Sequence, residues 1–513
     1  MHSSASSAAA LPAPDVEPNA RTRPAHRRLQ LLKPTADQAV PSTASARSEG
    51  GAAYRSRRVL HPTALASLEA YRSAGGLLGL ERATHMEPSE IVATVIDSGL
   101  RGRGGAGFPT GRKWQTVSAN AVAGPPAAVV VNGAEGEPGT FKDRAILRHN
   151  PYRVIEGATI AARAVHADRV TIALKASFTA EIERTRAALA EMHASGVLPT
   201  SIRFEVFEGP DEYLYGEETA LLETIDGRGP FPRVVPPYRV GLLGHDPKRR
   251  RAGPALVNNL ETIANVPKII ARGASWFRSL GTPDSPGTVV CTVTGDVARH
   301  GVNEVRMGTS LRQVLDLVGG GPVAPVKAVL SGVANPVIRD DQLDVPVSHE
   351  GMRNVGGGLG SAGFIVFAHP TDMVAVAAGV ARFLATESCG QCTPCKIDGG
   401  ELSTLLTRLA RSDATPHDFE AIERRIRTVG YGARCALAGQ QETVLASIFN
   451  FFRDEFDAHL SGHAPPAAPV LIAELVDIVD GVALIDDHHR HKQPDWTYGH
   501  TPSGSTPVEL RRW

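Results

Sequence analysis

An α/β unit, then a small α+β unit, then a helical bundle is the architecture this sequence predicts, on three observations. Apolar runs such as AAVVVN (127–132) and RVTIALKA (169–176) alternate with helix-like stretches between about residues 60 and 280, the pattern of a parallel or mixed sheet. Between about 285 and 368 the pieces TVVCTVTG, VKAVLSG and GFIVFA are β-rich and punctuated by glycine. Beyond Asp372 the segments MVAVAAGVARFLATES, LSTLLTRLAR, FEAIERRIRTVG and ETVLASIFNFFRDEF carry apolar residues at three-to-four spacing, so four helices are expected.

The size agrees: 513 residues with 42% hydrophobic content exceed what one core holds, so two to four domains are expected. Lys plus Arg and Asp plus Glu balance at 54 each, which leaves no electrostatic footprint for nucleic acid or an anionic membrane. No apolar run reaches the length of a membrane span, and the N-terminus lacks a secretory core. The expectation is a cytoplasmic chain without direct membrane insertion, any membrane attachment running through partner subunits. Residues 1–55, rich in Ala, Ser, Pro and Arg, read as a disordered extension. Asp15, Glu17, Asp37 and Glu49 argue against an organellar transit peptide. After His463 a Pro-rich stretch leads to LIAELVDIVDGVALI, a short apolar piece, and then to a polar tail.

Four motifs carry chemistry. In LRGRGGAGFPTGRKW (100–114), Gly102, Gly104, Gly105 and Gly107 free the backbone to approach a phosphate or a flavin, and Lys113 can reach a phosphate. Taken alone, such a loop is weak evidence, its alternative being an ordinary tight turn or a generic dinucleotide loop. In VVVNGAEGEPGTFKDR (129–144) an apolar strand runs into Asn132, Glu135 and Glu137, at the strand end where α/β sheets collect ligands. The bland alternative is a solvated acidic loop. In YLYGEETALLETIDGRGPFPRVVPPY (213–238), Glu217 and Glu218 enter a helix at the end where carboxylates are stabilised, as ligands or as caps, and the prolines that follow form a rigid lip.

The fourth motif is ESCGQCTPCK. Cys389, Cys392 and Cys395 stand at C-x-x-C-x-x-C, and Cys435 follows 435 − 395 = 40 residues later. Three plus one cysteines suit a 4Fe-4S centre, whereas structural zinc usually takes two separated pairs. Cys291, in TVVCTVTG, reads as a small hydrophobe in a buried strand. DDHHRH (486–491) is either a metal site or a polar disordered tail.

In this order, the glycine loop, EGEPGTFKDR, GEETALLE and ESCGQCTPC resemble the NADH-binding flavoprotein subunit of respiratory complex I and the related subunits of NAD-linked hydrogenases and formate dehydrogenases, over about residues 60–460. The resemblance implies a Rossmann-like FMN and NAD(P)H domain (56–284), a ubiquitin-like β-grasp domain (285–370) and a four-helix 4Fe-4S domain (371–462), with a C-terminal extension over 463–513. It implies FMN on Gly102, Gly104, Gly105, Ala106 and Gly107, with Lys113, Asn258 and Asn259 near its phosphate. Asn132, Glu135, Tyr213, Gly216 and Glu217 then contact the ribityl chain and ring. Phe108, Glu137, Glu218 and Tyr238 meet the pyridine nucleotide, and Cys389, Cys392, Cys395 and Cys435 hold the cluster. No side chain is implied as a catalytic acid or base, since hydride passes directly to FMN. The implied activity is that of a diaphorase-type NAD(P)H dehydrogenase subunit, and the implied partner is a thioredoxin-like 2Fe-2S subunit or a ferredoxin-like chain.

Several positions depart from the family pattern. Ala134 stands where an aspartate is usual, Val235 where a lysine is usual and Thr116 where an aromatic residue is usual. Between Gly244 and Asn258 an insertion carries Lys248, Arg249, Arg250 and Arg251, a solvated loop or a cation set for a nucleotide with an extra phosphate. Because two of the departures touch the adenosine half of the site, an alternative expectation is an FMN and 4Fe-4S relay subunit that has lost pyridine-nucleotide binding.

Overall fold

The computed structural model describes residues 29–31, 58–242, 252–494 and 496. The basic insertion Lys248 to Arg251 lies outside the described residues, as does most of the stretch 1–55. That stretch contributes one described strand, β1 (Leu29–Leu31), whose partner comes at the far end of the chain.

The first sheet is parallel throughout. Its strands β2 (Ala127–Asn132), β3 (Ala167–Lys175), β4 (Arg203–Gly209) and β5 (Ala255–Asn259) lie in the order β4-β3-β2-β5. Residues 127–131 are all buried, because a parallel sheet is covered on both faces, and this is why the strand reads as an unbroken apolar run. From β2 the chain proceeds outward through β3 and β4, then returns to place β5 on the other side of β2, with Asn132 opposite Asn259. The strand order therefore reverses between β2 and β5.

The second sheet joins β6 (Thr288–Gly295), β7 (Gly301–Arg306), β8 (Val326–Leu330), β9 (Ile338–Arg339) and β10 (Gly363–Ala368) in the order β7-β6-β10-β8-β9. Only β6 and β10 run parallel. The helix Leu311–Gly319 packs on it, opened by a Ser310–Gln313 capping box and closed by Gly320 at φ 74°. This is the small α+β unit expected from the glycine-punctuated β pieces, and the β-grasp-like domain that the family resemblance implies. Cys291 is fully buried in β6, as a small hydrophobe would be.

The four periodic segments form the helices Met373–Thr386, Thr393–Ala410, Pro416–Thr428 and Leu437–Phe451. The last ends at Phe452, and a short helix, Arg453–Leu460, turns away from it. Beyond the bundle the chain folds again. β11 (Leu475–Val479) and β12 (Val482–Asp486) form an antiparallel hairpin, and β12 pairs on its other edge with β1. Asp480 (φ 49°) and Gly481 (φ 79°) make the turn, both in the left-handed region that two-residue hairpin loops require. The DDHHRH segment, weighed above as a polar tail, is folded: Asp487–Arg490 is a short 3-10 turn and His489 is buried. Among the described residues no helix is long and apolar enough to cross a membrane.

Candidate functional site

Open α/β sheets bind ligands outside the C-terminal strand ends where the strand order reverses, here the ends of β2 and β5. A cavity opens at that place. It is lined by Gly104, Gly105, Asn132, Ala134, Glu135, Glu137, Tyr213, Gly216, Glu217 and Asn259, all singled out from the sequence. The glycine loop reaches it because the loop is tied back on itself. Gly102 N–H donates to Phe108 O at 2.9 Å and Thr110 N–H to Leu100 O at 2.9 Å. Buried Arg103 pins the loop to β6 through Thr288 O at 3.0 Å.

The glycines have distinct reasons. Gly105 sits at φ 142° with open space where a Cβ would stand, and a Cβ on Gly104 would come within 2.9 Å of the Asn259 side chain. Gly107, at φ 63°, lies over His349, whose ring would be 2.4 Å from any Cβ. Burial, with Arg103 and Arg101 nearby, pushes that imidazole down to about 3, so the loop rests on a neutral ring. Gly102, Ala106, Gly107 and Phe108 shape the loop without lining the cavity, and Phe108 is 54% exposed.

Polar groups at the strand ends are held in place. Asn132 Nδ2 donates to Gly216 O at 2.8 Å, and its Oδ1 accepts from Ala134 N–H at 3.2 Å. Glu135 accepts from Asp143 N–H and Arg144 Nε, each at 3.0 Å. Glu137 Oε2 accepts from the Tyr213 hydroxyl at 2.7 Å and Oε1 from Val333 N–H at 2.6 Å. Burial raises the Glu137 carboxyl above its ordinary range, and these two donors oppose that shift. Glu217 is the N-cap of the helix Glu218–Ile225, accepting from Ala220 N–H at 2.8 Å and Thr219 N–H at 3.0 Å, so it caps and lines the cavity at once.

Other selected residues stand away from the cavity. Lys113 Nζ donates to Glu218 Oε2 at 2.6 Å and Val257 O at 3.0 Å, so these two side chains pair with each other. Asn258 is buried and accepts from Trp114 Nε1 at 2.8 Å, an anchor beneath the site. Tyr238 is 38% exposed on the proline-rich lip.

The structure adds residues that sequence reasoning did not select. Lys142 and Asp143 line the cavity from within the quoted FKDR run, and Gly360 and Ser361 line it from a glycine-rich loop of the small unit. Lys142 is fully buried, with Asp143 Oδ1 at 2.9 Å, Glu261 Oε2 at 3.0 Å and Asn259 Oδ1 at 3.3 Å. Burial disfavours its charge, but the carboxylates of Asp143, Glu261 and Glu135 outweigh burial and raise its pKa. The motif itself carried no signal for Lys142, because Asn259 and Glu261, which help to cage it, are distant in the sequence.

The four motif cysteines come together around a second cavity, with Leu214, Pro232 and Gln391. Cys392 is the N-cap of the helix Thr393–Ala410, Cys395 lies in its first turn, and Cys435 precedes Leu437–Phe451. None is disulfide-bonded. Donors already face the sulfurs: Gln391 Nε2 stands 3.4 Å from Cys389 Sγ, Arg434 N–H 3.3 Å from Cys392 Sγ and Ser388 Oγ 3.3 Å from Cys395 Sγ. Burial pushes the Cys395 thiol up to about 11 and raises Cys389 and Cys435 as well. A cationic centre is what would hold such buried sulfurs as thiolates. Among the described residues no three His, Cys, Asp or Glu converge closely enough to share one ion. The four thiols border one cavity, and four cysteines are the ligand set of a 4Fe-4S cluster. The first cavity likewise fits a flavin, offering bare backbone at Gly105 beside Asn132, Glu135 and Asn259. Cys435, Leu214 and Leu437 line both cavities.

Comparison with known proteins agrees in extent and order. Residues 95–268 match the Nuo51 FMN-binding domain, 290–332 the SLBB domain and 375–459 the NADH-ubiquinone oxidoreductase-F iron-sulfur binding region. The second F subunit of the NADH-quinone oxidoreductase of Rhizobium meliloti is 37% identical over 412 residues, covering 78% of this chain and 96% of that one. The corresponding F subunit of Streptomyces coelicolor is 36% identical over 414 residues, covering 79% and 90%. Among solved structures, a chain of the NAD+-reducing NiFe hydrogenase in its H2-reduced state superposes with a TM-score of 0.67 at 34% identity, covering 74% of this chain and 64% of that one. The chain belongs to the family of F subunits of NADH-quinone oxidoreductases, with FMN and a 4Fe-4S cluster as its cofactors.

Proposed function

We propose that this chain oxidises NAD(P)H at the cavity between β2 and β5 and delivers single electrons, by way of the four-cysteine cavity, to a partner iron–sulfur protein. The observation that carries this reading is the shared wall. Cys435, Leu214 and Leu437 border both cavities, so the two cofactor sites share a wall. The chemistry FMN supplies when bound is hydride acceptance and one-electron release, and that of the cluster is one-electron relay.

This chain's residues bind, orient and exclude water. Gly104 and Gly105 bring bare backbone to the flavin, with Gly102, Ala106 and Gly107 shaping their loop. Asn132 and Glu135 face its polar chain, and Tyr213, Gly216 and Glu217 face its ring. Lys113, Asn258 and Asn259 support the phosphate side. Phe108, Glu137, Glu218 and Tyr238 meet the pyridine nucleotide, and Glu137, already fixed by Tyr213 and Val333, is the acceptor for an amide or ribose hydroxyl. Cys389, Cys392, Cys395 and Cys435 ligate the cluster. The partner class is a thioredoxin-like 2Fe-2S subunit or a ferredoxin-like chain, and any membrane attachment is through such partners.

The test is an anaerobic visible spectrum of the iron-reconstituted, FMN-loaded protein. Bleaching of the flavin band by NADH or NADPH is expected. Bleaching by dithionite alone would replace this reading with that of a relay subunit, and Thr116 and Val235 would be the first positions to restore.

A further inference from the structure

Residues 464–494 and Trp496 lie beyond the end of the iron–sulfur family region at 459, yet they touch the supports of both cofactor cavities. Ala467 N–H donates to Ala410 O at 2.7 Å and Val470 N–H to Ala375 O at 3.0 Å, so the segment first runs along the helical bundle. Glu474 then pairs with fully buried Lys175. Leu475 O accepts from Arg144 Nη1 at 2.6 Å, and the same guanidinium holds Glu135 at the flavin cavity.

After the hairpin the chain reaches the cysteine loop. Arg382 gathers the carbonyls of His489, Arg490 and Lys492 at 3.3, 2.6 and 3.2 Å. His489 Nε2 and Lys492 Nζ stand 3.1 and 2.7 Å from Glu387 Oε1, with the His489 ring stacked 4.9 Å from that of Phe383. Glu387 is two residues before Cys389, and its other oxygen accepts from Tyr213 N–H at 3.0 Å. Tyr213 in turn holds Glu137. Glu387 is thus a junction between the flavin wall and the cluster loop. Finally, Trp496 lies against Gly390, where any Cβ would be 2.6 Å from the ring, and Lys396 Nζ stands 4.1 Å from the ring centroid. The indole spans the C-x-x-C-x-x-C loop from the residue after its first cysteine to the residue after its third.

We propose that residues 464–494, together with Trp496, form a strap that covers the cysteine loop beside the cluster cavity, with Trp496 as its lid on that loop and His489 and Lys492 as the clamp that fixes Glu387. The strap is a positioning element for electron transfer. It keeps water from the cluster and holds the loop at a fixed place relative to Tyr213. Solvent access sets both the survival and the potential of such a centre, because water stabilises its more highly charged reduced state. The inference rests on the assignment of the cluster to the four cysteines.

The experiment uses the full-length, iron-reconstituted protein, with iron release to a colorimetric chelator and the midpoint potential of the dithionite-reduced cluster by EPR as readouts. Trp496→Ala is expected to release iron about tenfold faster, since loop opening then forfeits the packing of one large aromatic side chain. Its potential should move positive, and Trp496→Phe should restore both readouts in large part. Lys492→Met should also speed iron release, by less, while loss of the cation beside Glu387 moves its potential negative. Iron release and potential unchanged in both Trp496→Ala and Lys492→Met would overturn the strap. Wild-type protein that takes up no iron would instead overturn the cluster assignment on which the strap depends. Because dithionite reduces the cluster here, the outcome does not depend on nucleotide oxidation.

Discussion

Replacing Lys142 by methionine tests the electrostatics beneath the flavin cavity. The lysine serves three buried carboxylates, but they do not depend on it equally. Glu135 keeps Arg144 at 3.0 Å, and Glu261 keeps Arg103 at 4.0 Å and Val290 N–H at 2.9 Å. Asp143 retains Asn259 Nδ2 at 2.6 Å as its remaining side-chain donor. The substitution therefore strands roughly one buried charge, a loss of about 3–5 kcal/mol. For a cooperative unit of about 200 residues this lowers the thermal midpoint by on the order of 10 °C. The pH dependence has a definite sign. Lys142 has its pKa raised above the unfolded value of 10.5, so its contribution is complete throughout the neutral range and is lost only in strong alkali. In the variant the controlling group is Asp143, whose pKa burial already raises above its unfolded value of 3.8. Protonating it relieves the stranded charge, so the loss should be larger at pH 8 than at pH 5. Calorimetric scans of wild type and variant at both pH values measure this. A midpoint lowered by less than about 2 °C, or lowered equally at both pH values, would refute the argument.

Gly107→Ala places a Cβ 2.4 Å from the His349 ring at φ 63°, and should cost about 2–4 kcal/mol and most of the bound flavin. Adding His349→Ala should recover part of the flavin content, measured by absorbance after gel filtration. Cys392→Ser should abolish the cluster by iron analysis and leave flavin content near wild type, because Cys392 borders the second cavity but not the first; loss of both cofactors together would contradict that separation. Lys113 and Glu218 have side chains 28% and 39% exposed, so Lys113→Met should change stability by less than about 1 kcal/mol while lowering the FMN content measured by absorbance after gel filtration. Tyr213→Phe removes a hydrogen bond to a carboxylate and should weaken nucleotide binding by about 1.5–3 kcal/mol. The loss should be greater at acidic pH, because without that donor the Glu137 carboxyl rises further and is protonated over more of the range.

How much of this was legible in sequence depended on how local its cause was. β2 and β3 announced themselves because both faces of a parallel sheet are buried, and the bundle helices because a bundle demands a repeating apolar stripe. The Asp480–Gly481 turn was equally local, an Asp-Gly pair between apolar runs, and the hairpin was overlooked for want of a partner to place it on. Lys142 was hidden for another reason. Its burial is set by Asn259 and Glu261, more than a hundred residues away, and no local pattern distinguishes a lysine inside such a cage from one in water. Asn258 and Asn259 are adjacent in the sequence and separate in the fold, since alternate strand positions face opposite sides. Gly107 reads as a flavin-loop glycine, and the contact with the imidazole of His349, from another unit, is what no local pattern shows.

The strap also bears on the order of events during synthesis. Gly390 and Trp496 are 496 − 390 = 106 residues apart, so at about 5–20 residues per second the cysteine loop emerges several seconds before the residue that covers it. The last of the four thiols, Cys435, precedes Trp496 by 496 − 435 = 61 residues, so the complete set is made roughly 3–12 s ahead of the indole. The nascent chain thus carries its own loading window, open to a cluster donor early and shut once the indole arrives. A protein arranged this way would be easiest to fill while it is being made and hardest to refill afterwards.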